Sequence, residues 1–193
     1  MAPGIDPDFN RLATLIWTHP AIDRVRNAAT EPVYLVGGAI RDGLADFEVD
    51  DIDLVIEGDP VPLAATLDPE AQVNDRFGTV NLRIDGMPVD VATARTETYA
   101  RPGALPDVKP GPIKDDLVRR DFTINAMAIG IEADSELIDP FGGIADLESG
   151  VLRVLHDRSF VDDPTRALRA ARYAARFGFD LEPLTAELLL QTN

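Results

Sequence analysis

The pair Asp85-Gly86, set between the alternating runs TVNLRI and MPVDVATA, fixes more of this chain's shape than any other two residues. Asp-Gly is the pair that a tight two-residue turn favours, so the segment predicts a β-hairpin. Two further runs, VYLVGG and IDLVIEG, are short, β-rich and bounded by turn residues, as strands are. Ahead of them FNRLATLIW has helical spacing at Leu12, Leu15 and Ile16, and Pro20 interrupts it before AIDRVRNAA resumes. Residues 8–29 thus read as one broken helix or two short ones. From Arg101 to Pro112 the density of Pro and Gly marks an irregular loop. Beyond it IKDDLVRR reads as a short helix, INAMAIGI as a strand, DPFGG as a turn and GVLRVL as a last strand. The pattern then changes, with a strong helix in DDPTRALRAARYAARFGF and the start of another in TAELLLQ. Residues 1–155 are therefore expected to form a mixed α/β domain and residues 156–193 a helical segment.

With 193 residues and 45% hydrophobic content the chain can bury one ordinary core. No apolar run approaches the roughly 20 residues needed to span a bilayer, and MAPGIDPDFNR lacks the regions of a signal peptide. The expectation is a cytoplasmic chain with no membrane partner. Cysteine is absent and His19 and His156 are the only histidines, so any metal must sit on carboxylates, which suit magnesium or manganese. A net charge of −16 argues against a uniformly basic nucleic-acid binder and leaves room only for a local basic patch.

Asp51 and Asp53, two apart on a strand, point to one side while Ile52 points into the core. Like charges at that spacing repel, and a divalent cation is the cheapest compensation. Strand-end carboxylates in solvent are the plainer alternative. The apolar run that follows and the glycine turn upstream favour the cation. Asp50 flanks the pair. Asp90 is the lone polar residue in PVDVA, either a third ligand or an edge residue bonded to a neighbouring strand. The turn GGAIRDG does not fit G-x-G-x-x-G, yet Arg41, three residues after Gly38, would set a guanidinium beside exposed amides, a cradle for triphosphate oxygens. Asp163-Pro164 is a helix start, with Asp as N-cap. Arg166, Arg169, Arg172 and Arg176 share one broad face opposite Leu168, Ala171 and Ala175, either an ordinary solvated face or a counter-wall to a polyphosphate.

The ordered motifs LVGGAIRD, DIDLVIEG, FGTVNL, VDVATARTE, DLVRRDFTINAMAI, LIDPFGG and DDPTRALRAARYAARFGF resemble those of class II tRNA nucleotidyltransferases and bacterial poly(A) polymerases, from about Tyr34 to Phe179. The resemblance implies a DNA-polymerase-beta-like nucleotidyltransferase head with a mixed sheet, followed by a helical neck. In RDGLADF the family commonly has Leu-Leu-Gly, and Ala45-Asp46 departs from it at the local turn.

What the resemblance implies about activity is template-independent addition of C, A or both, from CTP and ATP, to the 3′ end of tRNA. Asp51 and Asp53 would bind two magnesium ions, with Asp90 as a third catalytic carboxylate. Gly38, Arg41 and Arg120, or Arg119 in its place, would contact the nucleotide phosphates or sugar. Asp163 and Arg166 would read the base, with Arg169 and Arg172 beside them. Poly(A) addition, A-only and CC-only addition stay open, as does a non-catalytic RNA-binding module of the same fold. Family chains continue through further helical domains, so this one is expected to be a fragment or an unusually short member.

Overall fold

The structure, a computed structural model, describes residues 4–74 and 78–191, so Phe77 of the FGTVNL motif lies outside it. The chain opens with α1 (Phe9–Thr18) and α2 (Pro20–Ala28), with Pro20 at the first position of the second helix as the broken pattern predicts. Strand β1 (Val33–Val36) runs into α3 (Gly38–Leu44), and β2 (Ile52–Ile56) into α4 (Pro60–Leu67). Strands β3 (Gln72–Asn74), β4 (Thr79–Ile84) and β5 (Met87–Thr93) follow, with the predicted hairpin turn between the last two. Asp85 and Gly86 take φ of 52° and 87°, and Ile84 pairs with Met87. Both positive angles suit the primed turn that such a pair favours.

Next come β6 (Arg95–Thr98), β7 (Asp107–Pro110), α5 (Ile113–Val118), a 3₁₀ turn (Thr123–Asn125), β8 (Ala128–Gly130) and β9 (Leu137–Ile138). The remainder is α6 (Gly143–Ser149), β10 (Val151–Leu152), α7 (Ser159–Asp162), α8 (Thr165–Phe177), β11 (Asp180–Leu181) and α9 (Pro183–Gln191). The main sheet has seven strands in the order β3-β4-β5-β2-β1-β8-β9. It is mixed, because β2 and β5 are parallel while the other pairs are antiparallel.

Strand alternation divides the core. Leu35, Ile52, Leu54, Ile56, Val89 and Val91 face one large cluster with the flanking helices, whereas Val36 and Val55 face a smaller one with Ile113 and Leu117 of α5. Asp53 and Asp90 fall on the second face. Ala170, Tyr173, Phe177 and Phe179 join the large cluster, so α8 packs on the same core as the sheet.

Four expectations need correction. INAMAIGI is not one strand: a 3₁₀ turn interrupts it and only Ala128–Gly130 joins the sheet. GVLRVL contributes just Val151–Leu152, paired in parallel with β11 and outside the main sheet. The Arg101–Pro112 stretch is not wholly irregular, because Asp107–Pro110 pairs with β6. The arginine face of α8 is not opposite a buried apolar one: Leu168 is 74% exposed and Ala171 and Ala175 are exposed, while Arg166, Ala170, Tyr173 and Phe177 are buried. Spacing shows which residues share a face; it does not show which face turns inward.

Candidate active site

One cavity of about 990 Å³ lies between the second sheet face, the turn after β1, the β6–β7 hairpin and α8. Its lining brings together every site residue expected from the sequence: Gly38, Arg41, Asp51, Asp53, Asp90, Arg120, Asp163, Arg166, Arg169 and Arg172. Arg119 and Arg176 line it as well, and Asp50 does not.

The carboxylates stand on adjacent parallel strands. Register places Asp53 directly beside Asp90, and Asn81, opposite Asp90 on β4, donates from Nδ2 to Asp90 Oδ1 at 2.6 Å. Both alternatives for Asp90 thus hold in part: it lines the cavity and is bonded to a neighbouring strand. Asp51 sits just before β2. Burial pushes the Asp53 carboxyl up to about 6, Asp51 and Asp90 push in the same direction, and the Arg120 and Arg41 guanidiniums offset this only in part. Carboxylates that resist ionising beside one another suit a hard divalent cation. Among the described residues no three His, Asp or Glu side chains already form a metal cage.

Opposite them the turn after β1 demands glycine. Gly37 has φ of 62°, and a Cβ there would sit 2.8 Å from Arg120 Nη1. Arg41 is only 3% exposed, and its guanidinium is already engaged. Nε and Nη2 donate to the two oxygens of Asp42 at 2.8 Å each, and Nη1 donates to Asn125 Oδ1 at 2.5 Å. Tyr173 and Phe177 rings lie 5.2 and 4.8 Å from it. Arg120 donates from Nε and Nη2 to Asp116 Oδ2 at 3.2 and 2.9 Å. Arg119 does the same to Asp116 Oδ1 at 2.9 and 2.8 Å.

The third wall is α7 and α8. Asp163 caps α8 as expected, with Oδ1 accepting from Thr165 N at 2.9 Å and Thr165 Oγ1 at 2.6 Å. Its Oδ2 lies 3.9 Å from Arg166 Nε. Arg166, 4% exposed, donates from Nη1 to Ser159 Oγ at 2.7 Å and from Nη2 to the Arg119 carbonyl at 2.6 Å. Arg169 Nε donates to Asp121 Oδ2 at 2.6 Å, and Arg176 Nη2 to Asp42 Oδ2 at 3.2 Å. Arg172 lies over the Tyr173 ring, 5.2 Å from its centre.

Sequence reasoning missed the carboxylates that hold these arginines: Asp42, Asp116 and Asp121. A signal existed, since Asp116 stands three and four positions before Arg119 and Arg120 on a segment read as helical, the spacing at which side chains meet.

Known proteins share the sequence and the fold. Residues 33–153 match the family described as the poly A polymerase head domain. An A-adding tRNA nucleotidyltransferase of Aquifex aeolicus is 50% identical over 164 residues, 82% of this chain and 20% of that protein. A CC-adding tRNA nucleotidyltransferase of Deinococcus radiodurans is 42% identical over 166 residues, 81% of this chain and 43% of that one. A solved CCA-adding enzyme in apo form superposes with a TM-score of 0.80 at 44% identity, over 96% of this chain and 45% of that chain. The Thermotoga maritima CCA-adding enzyme complexed with tRNA gives 0.77 at 40% identity, over 96% and 45%. The chain spans less than half the length of the curated relatives named.

Proposed function

Since this chain belongs to the poly(A) polymerase head-domain family, we propose that it is a template-independent nucleotidyltransferase, adding C, A or both from CTP and ATP to the 3′ end of tRNA. In the reaction the 3′-hydroxyl oxygen bonds to the α-phosphorus, the bond to the β-phosphate oxygen breaks, and pyrophosphate leaves. Residues 1–155 act as the catalytic head and residues 156–193 as the start of a neck that carries base selection.

Asp51 and Asp53 would hold magnesium, which when bound neutralises triphosphate charge and lowers the barrier to attack. Asp90 completes the carboxylate wall. Gly38, Arg41 and Arg120 line the side toward which the triphosphate points. Asp163 and Arg166 select the base. Cytosine and adenine each offer an amino donor beside a ring-nitrogen acceptor, which Asp163 Oδ2 and a remaining Arg166 N–H can satisfy together. Uracil and guanine carry a carbonyl where the donor must be. They would leave buried groups unpaired, at a cost on the order of 1–3 kcal/mol each.

The observation that carries the reading is the convergence on one cavity of the Asp53/Asp90 pair, the arginines beside the glycine turn, and the Asp163/Arg166 pair on a separate wall. The test is incubation with tRNAs ending before, within and after CCA, magnesium, and one nucleoside triphosphate at a time. Incorporation confined to C, A or both supports it, and no incorporation of any nucleotide refutes it. Identity to the A-adding relative exceeds that to the CC-adding one, 50% against 42%, so A addition to tRNA ending in CC is the first reaction to assay.

A further inference from the structure

Asp116 has 0% exposure and does not itself line the cavity. Five N–H groups nevertheless converge on it. Besides the four bonds from Arg119 and Arg120, one guanidinium to each oxygen, its Oδ1 accepts from the Arg95 backbone at 3.3 Å. Burial alone would raise this carboxyl, and the Arg120 and Arg119 guanidiniums outweigh burial and hold it below the ordinary range.

The two arginines lead to different walls. Arg120 reaches the glycine turn, with Nη1 3.4 Å from the Asn125 carbonyl, and Asn125 in turn holds Arg41. Arg119 offers its own carbonyl to Arg166 Nη2 and donates from Nη1 to Glu97 Oε1 at 3.0 Å. Glu97, on β6, also accepts from Arg95 and from the Tyr99 hydroxyl at 2.9 Å. Each guanidinium places two N–H groups on a single oxygen of Asp116, which restrains its orientation as well as its distance. Asp116 thus sets the angle of one guanidinium toward the triphosphate side and, through the Arg119 main chain, the seat of Arg166 on the base side.

We propose that Asp116 is a positioning residue that aligns the triphosphate wall with the base-selecting wall, so that its loss weakens both at once. The inference rests on the nucleotidyltransferase reading.

The test is calorimetric titration of the full 193-residue chain, first with magnesium tripolyphosphate and then with each of the four nucleoside triphosphates. Asp116→Asn keeps the volume and removes the charge. It is expected to weaken tripolyphosphate by at least about tenfold and to shrink the preference of C and A over U and G toward one. Leu117→Ala, a core truncation next door, is expected to lower thermal stability and leave that preference unchanged. Arg119→Gln keeps the carbonyl that Arg166 uses but removes the pairs with Asp116 and Glu97 that pin it. It should shrink the base preference, and it decides the matter if Asp116→Asn does not fold. A folded Asp116→Asn protein with unchanged affinity and preference overturns the proposal. So does Arg119→Gln with unchanged preference, or Leu117→Ala matching Asp116→Asn in both losses. Wild-type protein that binds none of the four triphosphates sinks the underlying reading before any substitution is made, and this inference with it.

Discussion

Asp53 and Asp163 show how one kind of side chain meets opposite demands in a single cavity. Burial and Asp51 make ionised Asp53 a cost to the empty fold. Asp51→Asn and Asp53→Asn should therefore abolish nucleotide transfer, while Asp53→Asn melts no lower than wild type at pH 7 without magnesium. Near-wild-type turnover by either variant at matched magnesium would remove the metal assignment. Asp163 is a cap as well as a proposed reader of the base. Asp163→Ala loses the cap, at about 1 kcal/mol, whereas Asp163→Asn keeps it and presents a mixed donor and acceptor. Loss of discrimination against UTP and GTP in both variants is expected; unchanged preference in both would leave Asp163 as a cap alone. Asp116 supplies the pH dependence. Its folded pKa is depressed by Arg120 and Arg119; Glu97 shares Arg119 with it, and the Arg95 backbone N–H donates to it. A depressed carboxyl contributes stability that is present above the unfolded pKa, near 4, and is lost as pH falls through the lower folded value. Urea denaturation should therefore show the gap between wild type and Asp116→Asn to be widest at neutral pH and to close in acid. A gap that stays constant down to pH 2 would show that the guanidinium pairs contribute nothing.

At the scale of elements the β4–β5 hairpin offers the cleanest separation of fold from function. Gly86, at φ of 87°, has nothing within 4 Å of a Cβ added there, so Gly86→Ala meets only backbone strain. It should cost roughly 1–2 kcal/mol and leave transfer intact, because the turn lies off the cavity lining. A thermal melt paired with an incorporation assay checks both halves. This hairpin, the broken helix α1–α2 and the apolar strands β1 and β2 were legible because local rules decide them: turn chemistry, proline, and period. The interruption of INAMAIGI, the shortness of β10 and the pairing of β7 were not, since each depends on a partner distant in sequence. The inward face of α8 escaped for a different reason. Hydrophobicity usually marks the buried side of a helix, and here the buried side includes Arg166, satisfied by Ser159 and the Arg119 carbonyl. Every expected site residue lies on the cavity, while Asp42 and Asp121 escaped because they meet Arg176 and Arg169 across the fold, and only Asp116 left a local signal in its helical spacing to Arg119 and Arg120.

For the molecule as a whole, a net charge of −16 sits beside a cavity lined by arginines from four stretches of chain. Most of those guanidiniums are paired with Asp42, Asp116 or Asp121, so few remain to neutralise RNA phosphates. Binding of tRNA by these 193 residues should therefore be weak, with the logarithm of affinity falling linearly as the logarithm of salt rises. Tight binding that ignores salt, in a filter or fluorescence assay, would place the RNA site elsewhere. The small parallel pair β10–β11 bears on how such a cavity changes shape. It joins Val151–Leu152 to Asp180–Leu181, and Val154 N with Thr185 Oγ1 and Arg153 with Glu182 reinforce the clasp. Residues 153–179, with α7 and α8 among them, are thus a strap buckled at both ends, not a lever hinged at one. Mechanically, α8 has no free end to swing. A shift in its position either drags the edge of the head along or opens the buckle, so the wall proposed to select the base and the wall that carries Asp53 and Asp90 share one frame.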